Sequence, residues 1–339
     1  MPELPEVETV VRGLRTSLPG RTIHDVRLGK TDFIDDPVAL AEQLPGSRIS
    51  GVTRLGKFIS IDLVPGGRAD NPGARLHLVI HLGMTGQLTT RRSSDPVPPH
   101  THVFFALDDG RELRYTDVRR FGRILLVPES GIAVFRDRLG AEPLEITLQE
   151  FLARFGSRRA RVKALLLDQG VLRGVGNIYA DESLFRARIH PARIAANLKQ
   201  TQLSTLHQAV REILTAAIRL RGSSISDYVD SEGKRGEFQF RHRVYQREGK
   251  PCVRCREKIH RMIVAGRSSH FCPRCQPAPR PRKRRRKDAK PRRRNQTRLQ
   301  RLKPTERSSA SAGPKPGPPG RSENSMRGAT NLGISRTEP

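Results

Sequence analysis

No apolar run in this chain of 339 residues approaches the ~20 that a membrane-spanning helix needs, so an integral membrane protein is not expected. The amino terminus is acidic and lacks the apolar segment of a signal peptide, which argues against secretion. Acidic residues are in short supply: 34 Asp+Glu stand against 63 Lys+Arg, for a formal net charge of +29. A soluble, cytoplasmic protein with a polyanionic partner is the expectation, nucleic acid first and an anionic membrane surface second. Cysteine is scarce too. The four present fall in two tight pairs, which in a reducing compartment point to a metal rather than to disulfides.

The charge is unevenly placed. Residues 277–339 hold 19 Lys+Arg and 4 Asp+Glu, a net +15, which leaves +14 on residues 1–276. The body is therefore basic in its own right. Beyond Pro277 the composition turns to Arg/Lys/Pro and then Ser/Gly/Pro, too poor in apolar residues to fold, so a disordered basic tail is expected over 277–339. Its run Arg282–Lys287 would raise non-specific, salt-sensitive affinity for any polyanion.

The first eight residues, Met1-Pro2-Glu3-Leu4-Pro5-Glu6-Val7-Glu8, are acidic in a basic chain. Once Met1 is removed, Pro2 becomes a terminal secondary amine. Such groups titrate near pH ~8, so part is neutral and nucleophilic at pH 7. Amines of this kind form Schiff bases with sugar carbons, and Glu3 and Glu6 are candidate proton-transfer groups. The same residues also read as a helix start, with Pro5 in the first turn and glutamates complementing the dipole. Val7, Val10, Val11, Leu14 and Leu18 then recur at helical spacing until Pro19-Gly20. From Thr22 to Val127 short strand-like runs alternate with Gly, Pro and Asp clusters, which implies a β-sandwich or barrel. Helical patterning starts near Thr147 and includes an amphipathic stretch from Gln208 to Leu220.

Several segments carry possible chemistry. Lys57 precedes a strand and by pattern alone is an exposed edge lysine. His81 to Gly86 reads HLGMTG, a bend that would expose Met84. Tyr115 to Gly122 sets an aromatic beside Arg119, Arg120 and Phe121, suited to stacking and phosphate contacts, or to a plain hairpin with solvated arginines. Glycines before Asn177 leave backbone N–H groups at a helix start, a site for phosphate or a plain helix–helix linker. Residues 221–240 form a long polar loop of the kind that is either a functional lid or disordered. Cys252-x-x-Cys255 and Cys272-x-x-Cys275, with sixteen residues between the pairs, fit a closed tetrahedral zinc site; iron–sulfur binding is less usual at this spacing.

The segments MPELPEVETVVRGL, HLGMTG, YTDVRRFG and DQGVLRGVGNIYADE, with the cysteine pairs, resemble the formamidopyrimidine-DNA glycosylases of the Fpg/Nei superfamily over roughly residues 1–276. The resemblance implies an α+β multidomain fold: a two-sheet β-sandwich with a leading helix (1–130), a linker (131–150), a helix-two-turns-helix domain (151–243) with a lesion-recognition lid (221–240), and a zinc-finger hairpin (244–276). It implies Pro2 as the nucleophile, with Glu3 and Glu6 in support and Lys57 on phosphate. Met84, Arg119 and Phe121 would form a wedge in the duplex, and His81, Lys163, Asn177 and Arg267 would contact phosphates. One structural Zn2+ would be held by the four cysteines. The expected protein is a bifunctional glycosylase and abasic-site lyase, monomeric and bacterial, that excises oxidised purines from double-stranded DNA and associates with the nucleoid.

Three other readings compete. The sister subfamily that removes oxidised pyrimidines usually starts PEGPE, where this chain has Pro2-Glu3-Leu4-Pro5-Glu6. A non-catalytic zinc protein that only binds damage has no need of a terminal proline. A membrane-surface protein needs a basic amphipathic helix with large exposed apolar residues, and the sequence offers none.

Overall fold

The computed structural model describes residues 1–66, 75–225 and 227–279. The tail expected from residue 277 lies, from residue 280 on, outside the described residues. Helix α1 (Leu4–Ser17) opens the chain with Pro5 in its first turn, and the Glu3 N–H donates to Glu6 Oε2 at 2.8 Å. There follow β1 (Ile23–Leu28), α2 (Pro37–Gln43), β2 (Arg48–Leu55), β3 (Phe58–Val64), β4 (Leu76–His81), β5 (Gln87–Arg92), β6 (Thr101–Leu107), β7 (Arg111–Thr116) and β8 (Arg123–Pro128).

The strands form two antiparallel four-stranded sheets, in the orders β1-β6-β7-β5 and β2-β3-β4-β8. Alternation decides what lies between them. Ile59, Ile61 and Leu63 of β3 point inward to meet Val103 and Phe105 of β6, and the α1 face Val7, Val10, Val11 and Leu14 joins the same core. The outer face of the second sheet is covered by α3 (Glu129–Asp137), whose Ile132 and Phe135 pack on Leu55 and Val79. Helix α3 thus occupies part of the segment read as a linker.

Helices α4 (Leu148–Gly156), α5 (Val162–Leu167), α6 (Asn177–Arg186) and α7 (Gln200–Arg219) build a second core. Thr147 caps α4: Glu150 N donates to Thr147 Oγ1 at 3.2 Å and Thr147 N to Glu150 Oε2 at 3.1 Å. Helix α7 begins eight residues before the apolar stretch that signals it, because its first two turns are largely polar. Leu4 belongs to this second core although it starts α1, and its N–H donates to Gly174 O at 3.0 Å. The first turn of α1 therefore joins the sandwich to the helices. Strands β9 (His260–Val264) and β10 (Arg267–Phe271) form a hairpin through Ala265 and Gly266. No helix among the described residues is long and apolar enough to cross a membrane. The fold is the α+β arrangement expected: sandwich with leading helix, helical domain and cysteine-bearing hairpin.

Candidate active site

A cavity of about 520 Å³ opens where the start of α1, the β2–β3 turn, the start of α6 and the β9–β10 turn converge. Pro2, Glu3, Lys57, Met84, Asn177 and Arg267 all line it. Pro2 is buried beneath Met1. Glu3, 3 % exposed, turns its carboxylate onto the amino end of α6: Oε1 accepts from Ile178 N at 2.9 Å, and Oε2 from Gly176 N at 2.9 Å and Tyr179 N at 3.3 Å. The glycine-rich turn read as a phosphate cradle thus holds the protein's own carboxylate. Gly176 must lack a side chain, since a Cβ there would lie 2.3 Å from Glu3 Cδ. Burial pushes the Glu3 carboxyl above its ordinary value; Lys57 and the amides oppose that rise.

Glu6 lies one turn behind, outside the cavity lining. Its Oε1 accepts from Ser223 N at 2.7 Å and from the hydroxyl of Tyr179. Burial first, and the charge of Glu3 second, raise its pKa to about 7. The loop expected as a lid folds back onto this point: Tyr228, which lines the cavity, donates its hydroxyl to Glu6 O at 3.1 Å. Ser231 O accepts from Thr90 N of β5 at 3.0 Å.

Lys57 is not the exposed lysine that its local pattern suggests. It sits in the two-residue turn between β2 and β3, where Gly56 packs against Arg173 and Gly174, and is only 8 % exposed. Burial, and then the charge of Arg267, lower its pKa, while Glu3 and Glu6 oppose. Among the described residues its ammonium has no hydrogen-bond partner. His81 pairs with Phe58 across β3 and β4, so it stands beside this turn. Burial and the Lys57 charge lower its pKa to about 4. The ring is thus neutral at pH 7, and Nδ1 accepts from Gly83 N at 3.2 Å, which leaves Nε2–H free to donate.

Met84, Arg119 and Phe121 meet at the surface next to the cavity. Arg119 Nη1 lies 3.4 Å from Met84 Sδ, and Arg119 Cζ lies 4.4 Å from the centroid of the Phe121 ring. Met84 and Phe121 are 40 % and 54 % exposed, unusual for large apolar side chains held in fixed turns. Asp117, fully buried, clamps both turns. Its Oδ1 accepts from Thr85 Oγ1 at 2.5 Å and Arg119 N at 3.2 Å, its Oδ2 from Gly122 N at 2.9 Å and Tyr115 OH at 3.1 Å. Gly83 allows the turns to touch: it has φ +59°, and a Cβ would meet Phe121 C at 2.4 Å. Asp117 was not singled out from the sequence, although a lone acid ahead of two arginines was the available signal.

Lys163 does not reach the cavity. It is fully buried and donates to Ser268 O at 2.7 Å and Ser269 Oγ at 2.8 Å, and it pairs with Asp181 Oδ1 at 2.7 Å. With two hydrogen bonds to β10 and an ion pair to α6, it ties α5 and α6 to β10. Asn177, by contrast, lines the cavity with an Oδ1 that has no hydrogen-bond partner among the described residues. Arg267 is exposed at the hairpin turn.

The sulfurs of Cys252, Cys255, Cys272 and Cys275 all lie within 4.8 Å of one another, with Cys252–Cys275 at 3.9 Å and Cys255–Cys272 at 3.4 Å. Zinc–thiolate bonds of about 2.3 Å in a tetrahedron require sulfurs ~3.8 Å apart, so the cluster fits one zinc ion. Four thiolates close the coordination shell, which makes the zinc structural. The surrounding core is small, with Phe185, Val244 and Ile259 its only buried non-cysteine members among the described residues. The metal therefore supplies what the hairpin lacks in apolar burial. His270, beside the cysteines, turns instead to Asp181 Oδ2, with its N–H at 2.8 Å and Nδ1 at 3.2 Å.

Three family models match this chain. Residues 1–124 match the formamidopyrimidine-DNA glycosylase N-terminal domain, 139–229 its H2TH domain, and 249–278 the zinc finger found in FPG and IleRS. A formamidopyrimidine-DNA glycosylase of Solibacter usitatus is 47 % identical over 278 residues, covering 81 % of this chain and 99 % of the relative. That of Herpetosiphon aurantiacus is 44 % identical over 281 residues, covering 81 % and 100 %. Among solved structures, a Lactococcus lactis FPG variant in complex with Fapy-dG-containing DNA superposes with a TM-score of 0.74 at 33 % identity, over 82 % of this chain and 100 % of that one. The Lactococcus lactis Fpg in complex with abasic-site DNA gives 0.73 at 32 %, over 81 % and 100 %. The chain belongs to the formamidopyrimidine-DNA glycosylase family.

Proposed function

We propose that this protein is a bifunctional base-excision repair enzyme: a DNA-formamidopyrimidine glycosylase that releases oxidised purines, 8-oxoguanine and formamidopyrimidines, and an abasic-site lyase that cuts the strand by β- and δ-elimination. The observation that carries the reading is the Pro2–Glu3 pair in the cavity, with a buried carboxylate fixed against the amino end of α6. Damaged or abasic DNA in the complexes of similar proteins supports duplex DNA as the partner. The reading includes work at the chromosome in the bacterial cytoplasm, and the division into sandwich, helical and zinc-finger domains near residues 130, 150 and 243.

With Met1 removed, the Pro2 nitrogen attacks C1′ of the extruded nucleoside. The C1′–base bond breaks and the base departs after gaining a proton. Ring opening breaks C1′–O4′, protonates O4′ and leaves an iminium between Pro2 and C1′. Loss of a C2′ proton then expels the 3′ phosphate, a second elimination expels the 5′ phosphate, and water hydrolyses the iminium, which frees the Pro2 amine and releases the sugar remnant as an unsaturated aldehyde. Glu3, whose carboxyl burial pushes above its ordinary value, is suited to giving and taking these protons. Glu6 supports it through the hydrogen bond to Glu3 N. Lys57, buried and without a hydrogen-bond partner among the described residues, suits a phosphate beside the lesion, joined by His81 Nε2–H, Asn177 and Arg267. Met84, Arg119 and Phe121 fill the gap left by the extruded base, with Arg119 toward the orphaned partner base.

Product analysis on a duplex with 8-oxoguanine opposite cytosine tests the reading. Cut ends carrying phosphate on both sides of a one-nucleotide gap are expected. Base release that leaves an intact abasic strand would remove the lyase half.

A further inference from the structure

At the end of α6 remote from Pro2, a second cavity of about 630 Å³ opens between α6, α7, residues 238–243 and the cysteine-bearing element. It shares no lining residue with the first cavity. Its floor is apolar: Phe185 and Phe238 are buried, and Ile213, Ala216 and Leu220 are half-buried. Phe240, beside the rim in the chain, is 81 % exposed, the highest value of any large apolar residue among those described.

The rim is cationic, made of Arg186, Arg219, Arg241, Arg243 and Arg254. The one carboxylate in the lining, Glu182, is spent internally, since Oε1 accepts from the N–H groups of Arg243, Val244 and Tyr245, each at 2.9 Å. Arg186 pairs with Glu212, and Arg254 donates to Phe185 O at 2.8 Å. The guanidinium groups of Arg219, Arg241 and Arg243 are exposed and have no partner among the described residues.

This combination selects its occupant by chemistry. Nucleic acid would satisfy the arginines but not the floor: its accessible part is the aliphatic Ile213, Ala216 and Leu220, and the rings of Phe185 and Phe238, 2 % and 3 % exposed, offer no face for a base to stack on. A second copy of this chain carries net +29 and meets the rim with like charge. We propose that the groove docks a short acidic segment of a partner protein, with leucine or phenylalanine side chains in the apolar floor and carboxylates on Arg219, Arg241 and Arg243. The proposal is independent of the catalytic reading.

Fluorescence anisotropy on the full chain tests it with three labelled probes: an acidic peptide carrying leucine and phenylalanine anchors, the same peptide with the anchors changed to serine, and a lysine-for-glutamate version. The basic tail would bind acidic peptides without selectivity, so anchor dependence is the signal. Saturable binding of the first probe is expected, weakened about tenfold or more by loss of the anchors and by the combined substitution Arg219→Glu, Arg241→Glu, Arg243→Glu. Ala216→Trp, which fills the cavity without altering charge, should weaken it similarly, while duplex cutting by each variant stays at the parent rate. Equal binding of the first two probes, or undiminished binding by both variants, overturns the proposal. So does a charge-reversed variant that loses duplex affinity with no anchor-dependent peptide binding, since the groove is then a DNA contact.

Discussion

Glu6 is the residue at which burial and chemistry are most tightly linked. Its folded pKa of about 7 exceeds the ordinary 4.5, so the native state favours the protonated form. Its contribution to stability is full below pH 4.5 and is lost as pH rises through 7. The difference amounts to roughly 3 kcal/mol at ~1.4 kcal/mol per unit. Glu3 is shifted in the same direction. The melting temperature should fall between pH 5.5 and 8, and Glu6→Gln, neutral throughout, should flatten the slope; a variant slope as steep as the parent's contradicts this assignment. Glu3 makes a separate prediction. In Glu3→Gln, strand cutting should drop roughly a hundredfold or more, the range of a positioned proton-transfer group, with duplex affinity kept. Gly176→Ala should mimic it by pushing the carboxylate aside, and an Ala variant of normal rate would show that the α6 seat is dispensable.

At the scale of elements, the wedge is two turns held by one acid. Asp117→Ala removes the acceptor of four donors, of which the Tyr115 hydroxyl and the Gly122 N–H are buried, a loss of roughly 3 kcal/mol. Denaturant unfolding should register that loss, and excision should slow more than binding does because Arg119 and Met84 lose their fixed relation. The hairpin behaves likewise toward its metal: chelation should release one zinc per chain and abolish duplex binding through Arg267, while the helical and strand signals of the rest persist. These elements differed in how far the sequence revealed them. The cysteine pairs needed only counting, because metal spacing is local. The Met84 and Phe121 turns could be read as bends, yet the carboxylate that joins them depends on two loops meeting where β4, β5, β7 and β8 end. Lys163 shows the limit: its residue type suits phosphate, but its three partners come from α6 and β10, and no local pattern announces them.

Across the whole molecule, α1 is the part on which both halves close. Leu4 enters the helical core while Val7 and Leu14 enter the sandwich. Glu8, Arg54, Glu142 and Arg173 add a mostly buried ionic bridge, with Arg54 Nε 2.8 Å from Glu8 Oε2 and Arg54 Nη2 2.9 Å from Glu142 Oε1. The fold class was legible because strand and helix periods occupy separate stretches of the chain. The candidate site was legible at Pro2 and Glu3, which line the cavity from one short segment. It was not legible in the supports of Glu6, which come from 173 and 217 positions away. All four tyrosines of the chain turn out to serve this region: Tyr115 on Asp117, Tyr179 and Tyr228 on Glu6, and Tyr245 in the cavity wall. The central claim is that the Pro2 nitrogen, released by loss of Met1, is the nucleophile. Borohydride trapping on a duplex with 8-oxoguanine opposite cytosine, followed by peptide mass mapping, tests it most directly. The account predicts a covalent adduct on Pro2 in a chain that lacks Met1. Trapping only on an oxidised pyrimidine would contradict the substrate, and tight binding with no adduct on either duplex would contradict the mechanism itself.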